Sequence, residues 1–255
     1  MALTILAEQQ DGLLLLTLNR PDKRNALNTD MYLALTGAFQ QAALDESVHV
    51  VLLQGQQECF TAGNDLADFM GKSSLEADDP ILQFLHTLAD FTKPVIAAVG
   101  GPAVGIGTTL LLHCDLVYAG DNAAFSLPFV NLGLCPEAAS SLLLPQMLGY
   151  HRAAEALLLG EPFMAEAALE VGLVNRVLPP TECNAYAQAQ AKKLAAKPLA
   201  SLVATKRLMK QGQQAATLQR IEEEGHTFGQ LLRGPAAKEA FSAFMQKRRP
   251  DFSGC

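Results

Sequence analysis

Two short glycine-bearing segments hold the chain's most suggestive chemistry: Cys59-Phe60-Thr61-Ala62-Gly63-Asn64-Asp65-Leu66 and Gly100-Gly101-Pro102-Ala103-Val104-Gly105-Ile106-Gly107. Each follows an apolar run that reads as a buried strand. Small residues at such a place let the backbone approach a ligand, and the start of a following helix offers unpaired N–H groups with a favourable dipole. Two loops of this kind can set one N–H each on a single oxygen. Either one alone reads equally well as an ordinary strand-to-helix turn. Farther on, Glu137 stands in Asn131-Leu132-Gly133-Leu134-Cys135-Pro136-Glu137-Ala138-Ala139-Ser140-Ser141. Taken by itself it is an acid at a helix N-terminus, stabilised by the dipole.

Other signatures fail. The chain has no G-x-x-x-x-G-K-[ST], no H-E-x-x-H and no G-x-S-x-G, and Gly105-Ile106-Gly107-Thr108-Thr109-Leu110 lacks the third small residue of a dinucleotide fingerprint. Asp65 reads as an acid that orders its own loop. His86 and His113 read as structural histidines on helices, and Glu76, Asp78 and Asp79 as a solvated acidic loop.

Composition narrows the classes further. With 49% hydrophobic and 18% charged residues over 255 positions, the chain is neither disordered nor fibrous. Its 19 basic against 26 acidic residues argue against a nucleic-acid partner. Five scattered cysteines, with no C-x-x-C pair, signal neither a disulfide framework nor a zinc site, and they fit a reducing cytoplasm. The N-terminus shows no secretory pattern and Ser253-Gly254-Cys255 is not a peroxisomal address. Pro94 to Cys114 lacks charge over roughly the length of a bilayer span, but its prolines and glycines mark buried core, so no membrane partner is expected.

The elements around these loops alternate between strand and helix. A hairpin is predicted from Leu3 to Glu8 and Leu13 to Leu18, turning at Gln10-Asp11-Gly12. A helix capped by Thr29 then runs to about Leu44, a strand covers Val48 to Gln54, and a helix covers Ile81 to Phe91. Strand Val95 to Val99, a helix from Val104 to His113 and strand Leu116 to Ala119 continue the alternation, which argues for right-handed crossovers in an α/β fold. After Glu137 the pattern becomes mainly helical: a strand at Leu173 to Leu178, then helices over Thr181 to Ala196, Pro198 to Lys210, Ala215 to Leu232 and Pro235 to Lys247. The last third carries little visible chemistry, which suggests docking or oligomerisation.

The two loops, together with Lys93-Pro94-Val95-Ile96-Ala97-Ala98-Val99 and Cys114-Asp115-Leu116-Val117-Tyr118-Ala119, resemble the crotonase (enoyl-CoA hydratase/isomerase) superfamily over nearly the whole chain. The resemblance implies a spiral of β-β-α units over residues 1–195 and a helical C-terminal region, 196–255, that drives trimer formation. It also implies that the N–H groups of Asn64 and Ile106 form an oxyanion hole for an acyl-CoA thioester. The two glutamates with which similar hydratases hold water are replaced here by Thr109 and Phe129. Thr109 is expected to satisfy its hydroxyl on backbone, and Phe129 to wall the acyl pocket.

Gly133, Pro136 and Glu137 resemble the peroxisomal-type delta-3,delta-2-enoyl-CoA isomerases, in which a glutamate at that position is the base. One base suffices for isomerisation, and apolar neighbours such as Phe129 and Leu134 are expected to raise its pKa. The resemblance further implies that CoA, as part of the substrate and with no separate cofactor, lies along Ala26, Leu27, Ala62, Gly63, Asp65, Leu66 and Gly105. Arg24, Lys23 or Lys247 would meet its phosphates, with Lys247 reaching a neighbouring subunit in a homotrimer or dimer of trimers. Hydration, thioester hydrolysis, isomerisation of a cyclic acyl-CoA and non-catalytic acyl-CoA binding are the alternatives.

Overall fold

The computed structural model describes residues 3–70 and 78–255. In chain order, β1 (Ile5–Gln10) and β2 (Leu13–Leu18) form a hairpin, followed by α1 (Thr29–Leu44), β3 (Val50–Gln54), α2 (Leu66–Met70) and α3 (Pro80–Asp90). Then come β4 (Val95–Val99), β5 (Pro102–Val104), α4 (Ile106–Thr109) with a 3-10 continuation over Leu110–His113, β6 (Leu116–Gly120) and β7 (Ala124–Ser126). The rest is α5 (Ser140–Leu148), α6 (Tyr150–Leu159), β8 (Phe163–Met164), α7 (Ala165–Glu170), β9 (Arg176–Leu178), α8 (Pro180–Ala195), α9 (Leu199–Lys210), α10 (Gln214–Leu232) and α11 (Pro235–Met245).

The larger sheet runs β1-β2-β3-β4-β6-β9, parallel except for the β1–β2 hairpin, and a smaller one runs β5-β7-β8. Asp11 and Gly12, both at positive φ, close the hairpin, with Gln10 opposite Leu13. Consecutive turns of chain place one strand in the large sheet, the next in the small sheet, and then a helix: β4, β5, α4 and again β6, β7, α5. This is the expected β-β-α spiral.

The strands β3 (Val50 to Gln54) and β4 (Val95 to Val99) are buried along their whole length because both faces are covered. One face joins the main core with Leu16, Val51, Leu53, Val95, Ala97 and Val99. The other face, Leu13, Val50, Leu52, Ile96 and Ala98, packs against Cys183, Ala187, Ala191 and Ala195 of α8. Small residues on α8 let the helix approach closely.

Several boundaries depart from the sequence expectations. The cap of α1 is Asn28, whose side chain accepts the Met31 N–H at 3.1 Å, not Thr29. The helix expected from Val104 begins two residues later and tightens into 3-10 geometry after one turn, because Pro102 to Val104 form β5. The strand expected over Leu173 to Leu178 is confined to Arg176–Leu178.

Candidate active site

The first loop is held between two partners. Thr61 bridges Ala103: its N–H donates to Pro102 O at 3.0 Å, and Val104 N–H donates to Thr61 O at 3.1 Å. On the other side Leu27 N–H donates to Gly63 O at 2.8 Å and Asp65 N–H donates to Leu27 O at 2.8 Å. That alternation leaves the Asn64 N–H outside the pairing. At the second loop, Gly105 sits at φ +54 and its N–H donates to Ser126 O at 2.9 Å, so Ile106 opens α4 as its first, unpaired donor. Neither the Asn64 nor the Ile106 N–H has an acceptor among the described residues. The two loops abut: a Cβ on Gly63, at φ +90, would lie 2.8 Å from Val104 O. Two N–H groups without an acceptor among the described residues thus stand on abutting loops.

Around them the support is polar. Arg20 donates to Asp65 Oδ2 at 2.7 Å and to Ala26 O at 2.9 Å, and Asp65 Oδ1 accepts the Ala67 N–H at 3.1 Å. Burial alone would raise the Asp65 pKa, but these bonds hold it below its usual value. Asp65 thus orders its loop, as expected. Arg24, at φ +50, contributes its carbonyl to the Ala62 N–H at 2.9 Å and leaves its side chain exposed.

Glu137 lies in the turn before α5, 6% exposed. One carboxylate oxygen, Oε1, accepts a short hydrogen bond from Thr109 Oγ1, while Oε2 has no partner among the described residues. Burial pushes the carboxyl up to about 8; the Thr109 bond opposes the rise and the nearby Glu224 carboxylate adds to it. A carboxyl in this state can take a proton and return it near neutral pH. Thr109 is thus corrected: its hydroxyl serves the Glu137 carboxylate rather than backbone, because the one-turn α4 aims it inward.

Glu137 shares a small apolar cavity of about 10 Å³ with Asn64, Phe69, Leu82, Ile221 and Phe228. That is roughly the room of one water-sized probe. Phe129 and Leu134 are not among the residues that line this small cavity. Phe129 is buried against Gly105, its ring 3.9 Å from where a Cβ would stand, and Leu134 N–H donates to Phe129 O at 2.9 Å. The apolar residues that share the cavity with Glu137 come from α2, α3 and α10.

The C-terminal third was expected to carry little chemistry; α10 overturns that. Besides Ile221 and Phe228 it supplies Glu224, whose oxygens accept the Ala139 N–H at 2.6 Å and the Ser141 N–H at 2.9 Å. His113, held neutral at about 4 by burial and by Lys210, donates from Nε2 to Ala138 O at 2.8 Å. Ala138 and Ala139 are both left-handed, at φ +59 and +57. Two such residues cost ~1–2 kcal/mol each. Two bonds to a charged acceptor, ~1.5–3 kcal/mol each, offset that strain.

Tyr32 is a further residue that sequence reasoning passed over. Buried on α1, it donates a short hydrogen bond to Asn64 Oδ1, and burial followed by the Glu137 and Asp79 charges raises its pKa well above the ordinary value. Its position on the apolar face of α1 disguised it as core. Asp79 caps α3 through the Ile81 N–H at 2.9 Å, Asp78 is exposed, and Glu76 falls outside the described residues. Lys247 follows α11, exposed, and is not among the residues around Glu137. Among the described residues no helix is long and apolar enough to cross a membrane.

The family model for enoyl-CoA hydratase/isomerase matches residues 8–255. The chain belongs to that family, and its α/β spiral is the crotonase fold. It is 38% identical over 252 residues to the 2,3-dehydroadipyl-CoA hydratase of Escherichia coli (strain K12), covering 98% of each chain. It is 36% identical over 226 residues to enoyl-CoA delta isomerase 2 of Rattus norvegicus, covering 86% of this chain and 57% of that protein. Pseudomonas aeruginosa OdaA superposes with a TM-score of 0.93 at 47% identity, covering 96% of this chain and 99% of the other. The family acts on acyl-CoA thioesters.

Proposed function

We propose that the protein is an acyl-CoA isomerase that moves a 3-enoyl double bond to the 2-trans position. The observation that carries this reading is Glu137, the one carboxyl among the described residues lining the cavity beside Asn64: it is buried, with Oε1 tied to Thr109 and Oε2 without a partner among the described residues. Glu137 takes a proton from C2 of the 3-enoyl thioester. The N–H groups of Asn64 and Ile106 hold the resulting dienolate oxygen, each worth ~3–4 kcal/mol of transition-state stabilisation. Glu137 then returns the proton to C4, so no second acid is needed. CoA arrives as part of the substrate, lying against Arg24, Ala26, Leu27, Ala62, Gly63, Leu66 and Gly105.

Exposed apolar residues at the end of α6, Leu158 at 67% and Leu159 at 55%, support burial in a homotrimer or dimer of trimers, in which Lys247 meets a neighbour's CoA. The reduced, unpaired cysteines suit a cytoplasmic setting.

Hydration is the second reading, favoured by the Escherichia coli relative that is named a hydratase and matches over its full length. Against it stand Thr109 and Phe129, at the positions where similar hydratases carry glutamates. One assay separates the two. The protein is given a 3-enoyl-CoA or a 2-enoyl-CoA, and the ultraviolet absorbance of the conjugated thioester is followed. The isomerase reading expects absorbance to appear from the first and to persist in the second; loss from the second without gain from the first overturns it.

A further inference from the structure

We infer that Glu224 is a positioning residue: from helix α10 it clamps the left-handed turn Ala138-Ala139 and so fixes the aim of Glu137. The inference rests on the reading of Glu137 as the base. Glu224 is 85 positions away from Ala139 in sequence and 6% exposed. Each of its oxygens accepts one N–H at the start of α5, from Ala139 and from Ser141.

A helix start ordinarily finds such an acceptor in its own N-cap side chain. Here the N-cap residue is Ala139, which has none to offer, and a carboxylate from another helix stands in. The choice is unfavourable electrostatically, because it buries a second negative group beside Glu137. A neutral acceptor would cap α5 at lower cost. What a carboxylate adds is two simultaneous strong bonds with a fixed spacing, and these fall two and four residues after Glu137.

Other groups of the turn are engaged as well. Ser140 N–H donates to Glu137 O at 3.0 Å, and His113 holds Ala138 O. Arg220, one turn before Glu224 on α10, donates to Ser141 Oγ at 3.0 Å. Glu137 Oε2 and Ser140 Oγ are the segment's two buried side-chain oxygens without a partner among the described residues, and of the two only the carboxylate is a base. Since Ile221 and Phe228 of the same helix line the cavity, α10 holds both the acyl side of the site and the turn that aims the base.

The test is Glu224→Gln, which keeps the shape but turns one acceptor into a donor facing an N–H. The clamp predicts that kcat for 3-enoyl-CoA isomerisation falls about tenfold or more while KM stays within about threefold, a misaimed base costing turnover rather than binding. In a Glu137→Gln background the same change alters the residual rate less than about twofold, because the two act as one unit. Glu224→Asp, which keeps the charge but shortens the reach, gives an intermediate kcat and carries the comparison if the glutamine variant does not fold. An unchanged kcat in these variants beside a crippled Glu137→Gln overturns the clamp alone, as does an equal loss in both backgrounds. A fully active Glu137→Gln overturns the base assignment and the clamp with it.

Discussion

Thr109→Val keeps the volume of a fully buried side chain and removes one hydroxyl, the donor to Glu137 Oε1. That bond favours the ionised carboxylate. A hydrogen bond to a charged group is worth ~1.5–3 kcal/mol, and about 1.4 kcal/mol is a factor of ten in ionisation. The variant should therefore hold roughly ten- to a hundredfold less ionised Glu137 at any pH below its midpoint. Wild-type Glu137 titrates at about 8. The free enzyme's base must be deprotonated to act, so its kcat/KM climbs as pH rises toward that midpoint. At neutral pH, Thr109→Val should lose about ten- to a hundredfold in kcat/KM, and the deficit should shrink as the medium becomes alkaline, where wild type has already levelled off. Parallel pH profiles of 3-enoyl-CoA isomerisation measure this. A loss of equal size at every pH would mean that Thr109 does not act through ionisation of Glu137.

Glu137 also makes a stability prediction. Its folded-state pKa, about 8, lies above the ordinary 4.5. Folded protein thus holds a proton that the unfolded chain has released, and stability falls as pH rises through that window. Glu137→Gln should be the more stable protein by thermal melting near pH 8, by roughly a few kcal/mol, with the advantage shrinking near pH 5; an unchanged gap contradicts it. Gly105→Ala places a side chain at φ +54 with ψ −116, outside the regions open to L-residues. It should misplace the Ile106 N–H and lower kcat by about a hundredfold or more, read in the same absorbance assay; wild-type turnover would remove Ile106 from the oxyanion hole.

Much of this site was legible because its parts are local. The strands before each loop are buried on both faces, and that produces the apolar runs Val50 to Leu53 and Val95 to Val99, readable without partners. The loops follow from the glycines: Gly63 and Gly105 sit at positive φ, where other residues are strained. What stayed hidden depends on contacts between distant segments. Strands β5, β7 and β8 are three residues or fewer, too short for an alternation to show. The Thr109 hydroxyl looked like any helix residue until the fold set it against Glu137, 28 positions on. Glu224 lies in Glu222-Glu223-Glu224, where two exposed acids mask a buried one, and only the α10 crossing reveals its use.

In the proposed isomerase, one buried carboxylate, Glu137, does the proton transfer while the backbone at Asn64 and Ile106 holds the charge. Replacing it with glutamine changes a single atom and leaves the Thr109 contact and both loops in place. The direct measurement is the turnover of 3-enoyl-CoA by Glu137→Gln, followed as conjugated product at saturating substrate. Loss of the base should lower kcat by about a hundred- to ten-thousandfold with the protein still folded. A kcat within about tenfold of wild type would contradict it.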